Sequence, residues 1–169
     1  PAGGRRSPGF MKKVNLQQVP EEERISPRGK FHVRQKAVSL ALGGLKDVGP
    51  WGGGHPFDLC ETAIPPGKLN WPYHFHSAQW ELFLVRSGHG RVRTPEGWWE
   101  VAPGDVFLRK PGEPHQIENT GKDDLVLLIV ADNPPSDVVG YPDTGQWFLK
   151  PARKLLGGEE RPYYSGEEP

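Results

Sequence analysis

Two histidines and a glutamate stand close together in the segment WPYHFHSAQWE, residues 71–81. Alternate residues of a β-strand point to the same face of its sheet, so His74 and His76 are expected to converge. A second strand that begins near Ala78 places Glu81 on the same side. Two imidazoles and one carboxylate that meet inside a folded domain form an incomplete coordination sphere for a metal ion.

A further ligand is predicted from a later strand. His115 opens the segment HQIEN, soon after the turn sequence KPGEP, and is the candidate for a third imidazole. The alternatives are a buried polar cluster without a metal and a hydrated face of an edge strand. Burying a carboxylate and imidazoles without strong partners is costly, and a metal offsets that cost. We therefore predict one divalent metal bound by His74, His76, Glu81 and His115.

Short apolar runs between glycine and proline turns predict a chain built from β-strands. The 22 glycines and 19 prolines are spread along the chain, and helical periodicity is weak throughout. The predicted strands are residues 30–42, 57–64, 73–76, 79–85, 90–94, 98–101, 105–109, 115–119 and 124–131. Strands at this spacing without crossover helices favour an antiparallel sandwich or barrel, so the fold class is all-β.

The candidate ligands lie at the spacing of two sequence motifs, and on this basis the chain resembles the cupin family. The first motif, with His-x-His followed by a glutamate, is matched by Gly67, His74, His76, Glu81 and Gly88. The second motif is matched by Gly104, Gly112, His115 and Asn119. Lys110 stands where the second motif has proline, with Pro111 next to it, which predicts a turn of slightly different shape.

The resemblance implies a double-stranded β-helix, a jelly-roll barrel of two sheets with the metal inside. We expect the barrel over residues 31–131, after an extension over 1–30 that includes an extra strand. An irregular C-terminal extension over 132–169 is expected to pack on the barrel, with its last residues mobile. Met11 is the one methionine and the expected natural start, which leaves residues 1–10 upstream of it.

The resemblance is to small single-domain bacterial metal-binding cupins, and it implies a metal but no particular reaction. Three imidazoles and one carboxylate suit Mn, Fe, Ni, Co, Cu or Zn. Within the family such sites support isomerisation, dioxygenation or decarboxylation, and some members only bind a ligand. We therefore expect an enzyme acting on a small oxygen-rich metabolite, with a non-catalytic metal-dependent binding or sensing module as the alternative. No catalytic residue beyond the ligands can be named.

Residues an even number of positions from a ligand on the same strand share its face. Phe83, Val85 and Ile117 are therefore predicted to face inward and to line an apolar pocket. Gln79 and Asn119 lie on the same side, where they either support the histidines or cap turns. The opposite face is predicted for Trp80, Leu82 and Leu84.

Charge and cysteine content narrow the range of partners and compartments. The 21 lysines and arginines balance 21 aspartates and glutamates, so we expect a small-molecule ligand and no nucleic acid. The apolar run LVLLIV is far shorter than the ~18 residues of a membrane span, so no membrane partner is expected. The single cysteine, Cys60, excludes an internal disulfide and fits a reducing cytoplasm.

A homodimer is predicted from the strand at residues 30–42. This strand is apolar at Val33, Val38 and Leu40, and a barrel of this size does not need it for closure. An uncovered apolar edge favours association, and two edges paired about a two-fold axis bury each other. The resemblance points the same way, because cupins often dimerise through N-terminal strands. The alternative is a strand that covers its own barrel in a monomer.

Overall fold

Antiparallel β-strands make up most of the protein in the computed structural model, which describes residues 11–158 and residue 165. The strands are β1 (Glu21–Ile25), β2 (His32–Ala37), β3 (Phe57–Ile64), β4 (Phe75–His76), β5 (Glu81–Ser87), β6 (Gly90–Thr94), β7 (Gly97–Val101), β8 (Val106–Arg109), β9 (Gln116–Asn119), β10 (Leu125–Asp132), β11 (Asp137–Tyr141), β12 (Gln146–Lys150) and β13 (Lys154–Leu156). A four-residue helix, α1 (Val38–Ala41), follows β2, and 3₁₀ turns lie at Leu16–Gln18 and Pro50–Gly52. None of these helices is long or apolar enough to span a bilayer. The predictions for residues 1–10 and for the last residues of the chain lie outside the described residues.

The described strands form three sheets, in the orders β1-β2-β3-β10-β5-β8, β7-β6-β9 and β13-β12-β11-β4. Strand β10 lies at the centre of the large sheet, where it pairs with β3 and β5 and alternates buried with half-buried residues. That alternation turns one face of the sheet toward the second sheet and leaves the other face outward. The predicted all-β, jelly-roll architecture is confirmed.

The hydrophobic core fills the space between the first two sheets. Its buried members are Val33, Ile64, Phe83, Val85, Val92, Val101, Ile117, Leu125, Leu127 and Ile129. Phe83, Val85 and Ile117 are at most 1% exposed, whereas Trp80 and Leu82 are 42% and 39% exposed. The predicted alternation of β5 is therefore confirmed, and with it the direction in which Glu81 points.

The first predicted strand, residues 30–42, is wrong in its second half. Strand β2 ends at Ala37, which pairs with Cys60, and the chain then turns into α1. The reason is a side chain: the Ser39 hydroxyl accepts a hydrogen bond of 2.8 Å from the Leu59 amide and so replaces the next step of the strand ladder. The edge of β2 is also not free, because β1 pairs along all five of its own residues with β2.

The C-terminal extension, predicted to be irregular, contains three strands. Strand β11 pairs with β4, with Val139 opposite His76 and Gly140 opposite Phe75. Glycine is required there, because a Cβ on Gly140 would come within 2.4 Å of the Phe75 ring. That ring in turn lies 5.7 Å from the Trp147 ring, edge to face. A close backbone contact and an aromatic pair therefore join the extension to the strand that carries His76.

The homodimer stays a prediction, but an apolar surface other than the β2 edge is now the basis for it. Leu82 pairs with Leu108 across β5 and β8, and both are exposed on the outer face of the large sheet. Trp80 and Val106 extend the same exposed surface. We propose that a second copy of the chain covers it, since a two-fold axis lets one apolar face pack against itself.

We expect the protein at micromolar concentration to have twice the mass of its 18.8 kDa chain in light scattering. Leu82→Lys combined with Leu108→Lys should give the monomer, because four ammonium groups would meet across the two-fold axis. Leu155→Lys, at an exposed leucine of β13, is the control and should keep the dimer. A parent protein that stays at the mass of one chain on concentration would end the dimer proposal.

Candidate metal centre

Backbone pairing brings His74 and His115 side by side. Each residue donates its amide to the carbonyl of the other, at 3.1 and 2.8 Å, in an isolated antiparallel bridge. Their rings consequently lie 4.7 Å apart between centroids. His76 follows on β4, and Glu81 is the first residue of β5. All three histidines are buried, so the cluster lies inside the protein.

The predicted ligands converge on the carboxylate of Glu81. His74, Glu81 and His115 each offer a ligand atom within 4.8 Å of the others. Glu81 Oε2 lies 3.2 Å from His115 Nε2 and 3.6 Å from His76 Nε2. His76 is not part of the 4.8 Å group, although its Nε2 approaches the same carboxylate oxygen. Its role as the fourth ligand stays a prediction.

Each of the three imidazoles has its Nδ1 occupied by an oxygen on the far side from the cluster. His74 Nδ1 donates to the Pro72 carbonyl at 2.8 Å, and His76 Nδ1 donates to Asp137 Oδ2 at 2.5 Å. His115 Nδ1 makes a longer contact of 3.4 Å with the Glu113 carbonyl. A neutral imidazole that donates through Nδ1 keeps the lone pair of Nε2 free. All three rings can therefore bind a metal through the lone pair of Nε2.

Glu81 Oε2 is buried and has no hydrogen-bond partner among the described residues. Burial would raise the pKa of the Glu81 carboxyl, but a hydrogen bond from protonated His115 and the positive charge that the three imidazoles carry when protonated outweigh it and lower the pKa to about 2. The carboxylate is thus charged. When the three imidazoles are neutral and protonated on Nδ1, no donor in the described part of the chain faces Glu81 Oε2, which is unfavourable unless a cation binds it. A divalent metal among these donors fits that requirement.

Comparison with known proteins agrees with this geometry. The family model for the cupin domain matches residues 60–131, which contain both ligand-bearing motifs. Residues 60–131 therefore form a cupin domain. It is 27% identical over 163 residues to auxin-binding protein 1 of Arabidopsis thaliana, covering 91% of this chain and 72% of that protein. It is also 32% identical over 72 residues to an oxalate-binding protein of Thermotoga maritima, covering 43% of this chain and 59% of that protein.

Solved structures show the same fold. A sugar phosphate isomerase of the cupin superfamily from Silicibacter pomeroyi DSS-3 superposes on this chain with a TM-score of 0.69. The two chains are 20% identical, and the match covers 85% of this chain and 90% of the other. This likeness extends the shared fold beyond the 72 residues of the cupin domain to most of the chain.

A cavity of about 280 Å³ opens beside the predicted metal ligands. It was predicted to be apolar, lined by Phe83, Val85 and Ile117, but these three side chains lie in the hydrophobic core and not on its wall. The reason is that residues outside the barrel strands supply much of the wall. Among its lining residues are His74, His76, Gln79, Glu81, Lys46, Asp47, Asp58, Trp71, Ile129, Val139, Tyr141, Phe148, Lys150 and Arg153.

The two predicted supporting residues differ in position. Gln79 lines the cavity and donates through its amide to the Asp132 carbonyl at 2.7 Å. Asn119 is fully buried, and its side chain bonds only backbone groups, among them the Ile64 carbonyl at 2.6 Å and the Gly121 amide at 2.8 Å. The side chain of Asn119 therefore caps a turn, which is the second of the two roles open to it from the sequence.

Asp137, which sequence reasoning missed, completes the support of the cluster. It is 4% exposed and accepts hydrogen bonds from His76 Nδ1, the Ser77 hydroxyl and the Ala78 amide. Burial would raise the pKa of Asp137, but His76, the Ala78 amide and the nearby Lys150 ammonium hold it below the usual range. A carboxylate that orients a metal-binding histidine also raises the basicity of the imidazole. No motif could have revealed it, since Asp137 lies 61 residues from His76.

Stability of the metal-free protein should fall with acidity, beginning near pH 6.5. Burial, and next the neighbouring His115, lower the pKa of His74 from 6.5 to about 3. Between about pH 6.5 and pH 3, the unfolded chain binds a proton at His74 and the folded chain does not. The free energy of unfolding contributed by His74 is therefore fully present above pH 6.5 and is lost as the pH falls toward 3. The pKa of Glu81 is lowered from 4.5 to about 2, so this residue adds a further loss of stability as the pH falls from 4.5 toward 2.

Urea unfolding in the presence of a chelator, between pH 7.5 and 4, measures this dependence. His74→Asn should flatten the decline in the unfolding midpoint, because it removes the buried group that resists protonation. His89→Asn, at an exposed histidine, should keep the parent's slope. Equal slopes in all three proteins would show that His74 does not cause the pH dependence.

Proposed function

We propose that this cupin binds one divalent transition metal through His74, His76, Glu81 and His115 and acts there on a small oxygen-rich metabolite. The observation that carries the proposal is the buried, unpartnered Glu81 Oε2, approached by the Nε2 atoms of two of the three histidines. Three neutral imidazoles and a carboxylate suit Mn, Fe, Ni, Co, Cu or Zn. A metal bound there would act as a Lewis acid toward an oxygen of the ligand.

The chain's own groups have separate roles in this proposal. The Pro72 carbonyl and Asp137 hold the rings of His74 and His76, so that neither ring has to reorient when the metal binds. Glu81 supplies the one negative charge among the four ligands. The cavity beside them admits a small molecule, and its apolar part, with Trp71, Ile129 and Phe148, excludes water from that molecule.

The reaction class is isomerisation, dioxygenation or decarboxylation, and the fold does not choose among them. The likeness to the sugar phosphate isomerase concerns the fold alone. A second candidate function is metal-dependent binding or sensing without turnover. Two proteins with similar sequences support this candidate, because one is named as an auxin-binding protein and the other as an oxalate-binding protein. We further propose a cytoplasmic location, since Cys60 is unpaired.

Elemental analysis of protein purified without added metal tests the first half of the proposal. We expect close to one equivalent of a transition metal per chain, and little in Glu81→Gln, which removes the charge but keeps the shape. Turnover of oxygen-rich acids and sugars by metal-loaded and metal-free protein then separates the two functions. Metal-dependent turnover supports the enzyme, and saturable binding without turnover supports the binding module. A parent protein that takes up no metal would refute both.

A further inference from the structure

One face of the β11–β12 hairpin forms a wall of the cavity. Alternate residues of β11, from Asp137 through Val139 to Tyr141, point to one side, and their partners Lys150 and Phe148 on β12 share it. Val139, Tyr141, Phe148 and Lys150 all line the cavity. The hairpin lies outside residues 60–131, so these side chains are additions to the cupin domain of this chain.

Tyr141 is the residue of this wall that lies beside a predicted metal ligand. Strand β11 runs antiparallel to β4, with Val139 opposite His76, and continuing that direction brings Tyr141 alongside His74. The rings of Tyr141 and His74 accordingly lie 6.3 Å apart between centroids, with 37° between their planes. The phenol is therefore held close to the metal site by a paired strand rather than by a loop.

The hydroxyl of Tyr141 has no hydrogen-bond partner among the described residues, although the side chain is only partly exposed. Its polar neighbours differ in this respect, because Gln79, His74 and His76 each bond an oxygen of the protein. A tyrosine hydroxyl turned into a pocket usually finds a partner. Burial raises the pKa of the Tyr141 phenol above its ordinary range, so the phenol is a hydrogen-bond donor at neutral pH.

The charge of the cavity favours an acidic partner. Asp47 pairs with Lys150 at 3.5 Å and with Arg153 at 3.1 Å, and Lys150 also lies 3.9 Å from Asp137 Oδ2. Lys46 and Arg24 line the same cavity, and so do the carboxylates of Asp58 and Glu81. Cations therefore outnumber carboxylates by four to three along the lining, and the proposed divalent metal would add further positive charge, which suits the oxygens of a carboxylate.

We propose that the Tyr141 hydroxyl donates a hydrogen bond to an oxygen of a small carboxylate bound at the metal, which makes Tyr141 a ligand-contacting residue of this cupin. The proposal rests on the proposed function, because the metal has to hold the ligand beside His74. Phenylalanine at this position would keep the ring and its packing but lose the donor.

Calorimetric titration of the metal-loaded protein with oxalate, a small dicarboxylate, tests the proposal in the parent and in Tyr141→Phe. A hydrogen bond to a charged oxygen is worth enough to make binding about 10- to 100-fold weaker when it is lost. The metal content of Tyr141→Phe should equal that of the parent. Tyr73→Phe is the matched control, because Tyr73 is buried against Arg93, does not line the cavity and should leave oxalate affinity unchanged.

Equal oxalate affinity in the parent and Tyr141→Phe would overturn the proposal, and so would loss of metal from the variant, which would make Tyr141 part of the metal site itself. A parent that binds metal but no oxalate would overturn the assigned ligand class while leaving the metal proposal standing. A parent that binds no metal would refute the proposed function itself. The metal analysis detects that outcome independently of the oxalate titration.

Discussion

Replacing His76 with alanine is expected to abolish tight metal binding while the barrel stays folded. The change removes one of the three imidazoles that offer Nε2 to the metal. Substitutions outside the ligand set weaken metal binding by about 10- to 100-fold, and the loss of a ligand should weaken it further. The core between the sheets does not include His76, which explains why folding should survive. Metal affinity from competition with a chelating dye and far-ultraviolet circular dichroism measure the two effects.

The control for this substitution is His89→Ala. His89 is exposed and does not line the cavity, so its loss should leave metal affinity unchanged. Parent-like affinity in His76→Ala would remove this residue from the ligand set. A variant that unfolds outright would instead indicate a structural metal, and the proposal of an enzyme would lose its support.

Replacing Asp137 with asparagine should weaken metal binding by about 10- to 100-fold, the usual cost of losing an outer-shell carboxylate. The asparagine oxygen can still accept from His76 Nδ1, but without a negative charge it no longer increases the basicity of the ring. Asp143→Asn is the control, since Asp143 pairs with Arg93 on the surface and lies away from the cavity.

Unfolding of the Asp137→Asn protein in chelator separates an effect on the metal from an effect on the fold. A small change in metal-free stability together with a large loss of metal affinity is the expected pattern. Unchanged metal affinity would mean that the C-terminal extension packs against His76 without influencing metal binding.

Several strands of the two core sheets could be placed from the sequence because local patterns determine them. Residues 57–64 and 90–94 form strands with the predicted bounds, since turn residues stop the apolar alternation at both ends. Gly88 marks one such stop: its φ of +80° and a Cβ that would meet the Asp124 carbonyl at 2.3 Å both require glycine. Alternation then decides which face Glu81 and Phe83 occupy.

The features that the sequence did not reveal depend on contacts between distant segments. Ser39 ends β2 by bonding the Leu59 amide, and no local pattern marks that residue as a stop. Strand β11 exists because β4 offers it an edge and because Gly140 admits the Phe75 ring. Asp137 and Tyr141 reach the proposed metal site through this pairing, so neither residue could be placed there from the sequence.

A crystal structure of the metal-loaded protein, with anomalous scattering data at the metal's absorption edge, tests the central claim most directly. We predict a single strong anomalous peak at ~2.0–2.3 Å from Nε2 of His74, His76 and His115 and from a carboxylate oxygen of Glu81. A metal bound elsewhere, or these side chains standing more than ~6 Å apart in the metal-loaded protein, would contradict it, since metal–ligand bonds in proteins are far shorter.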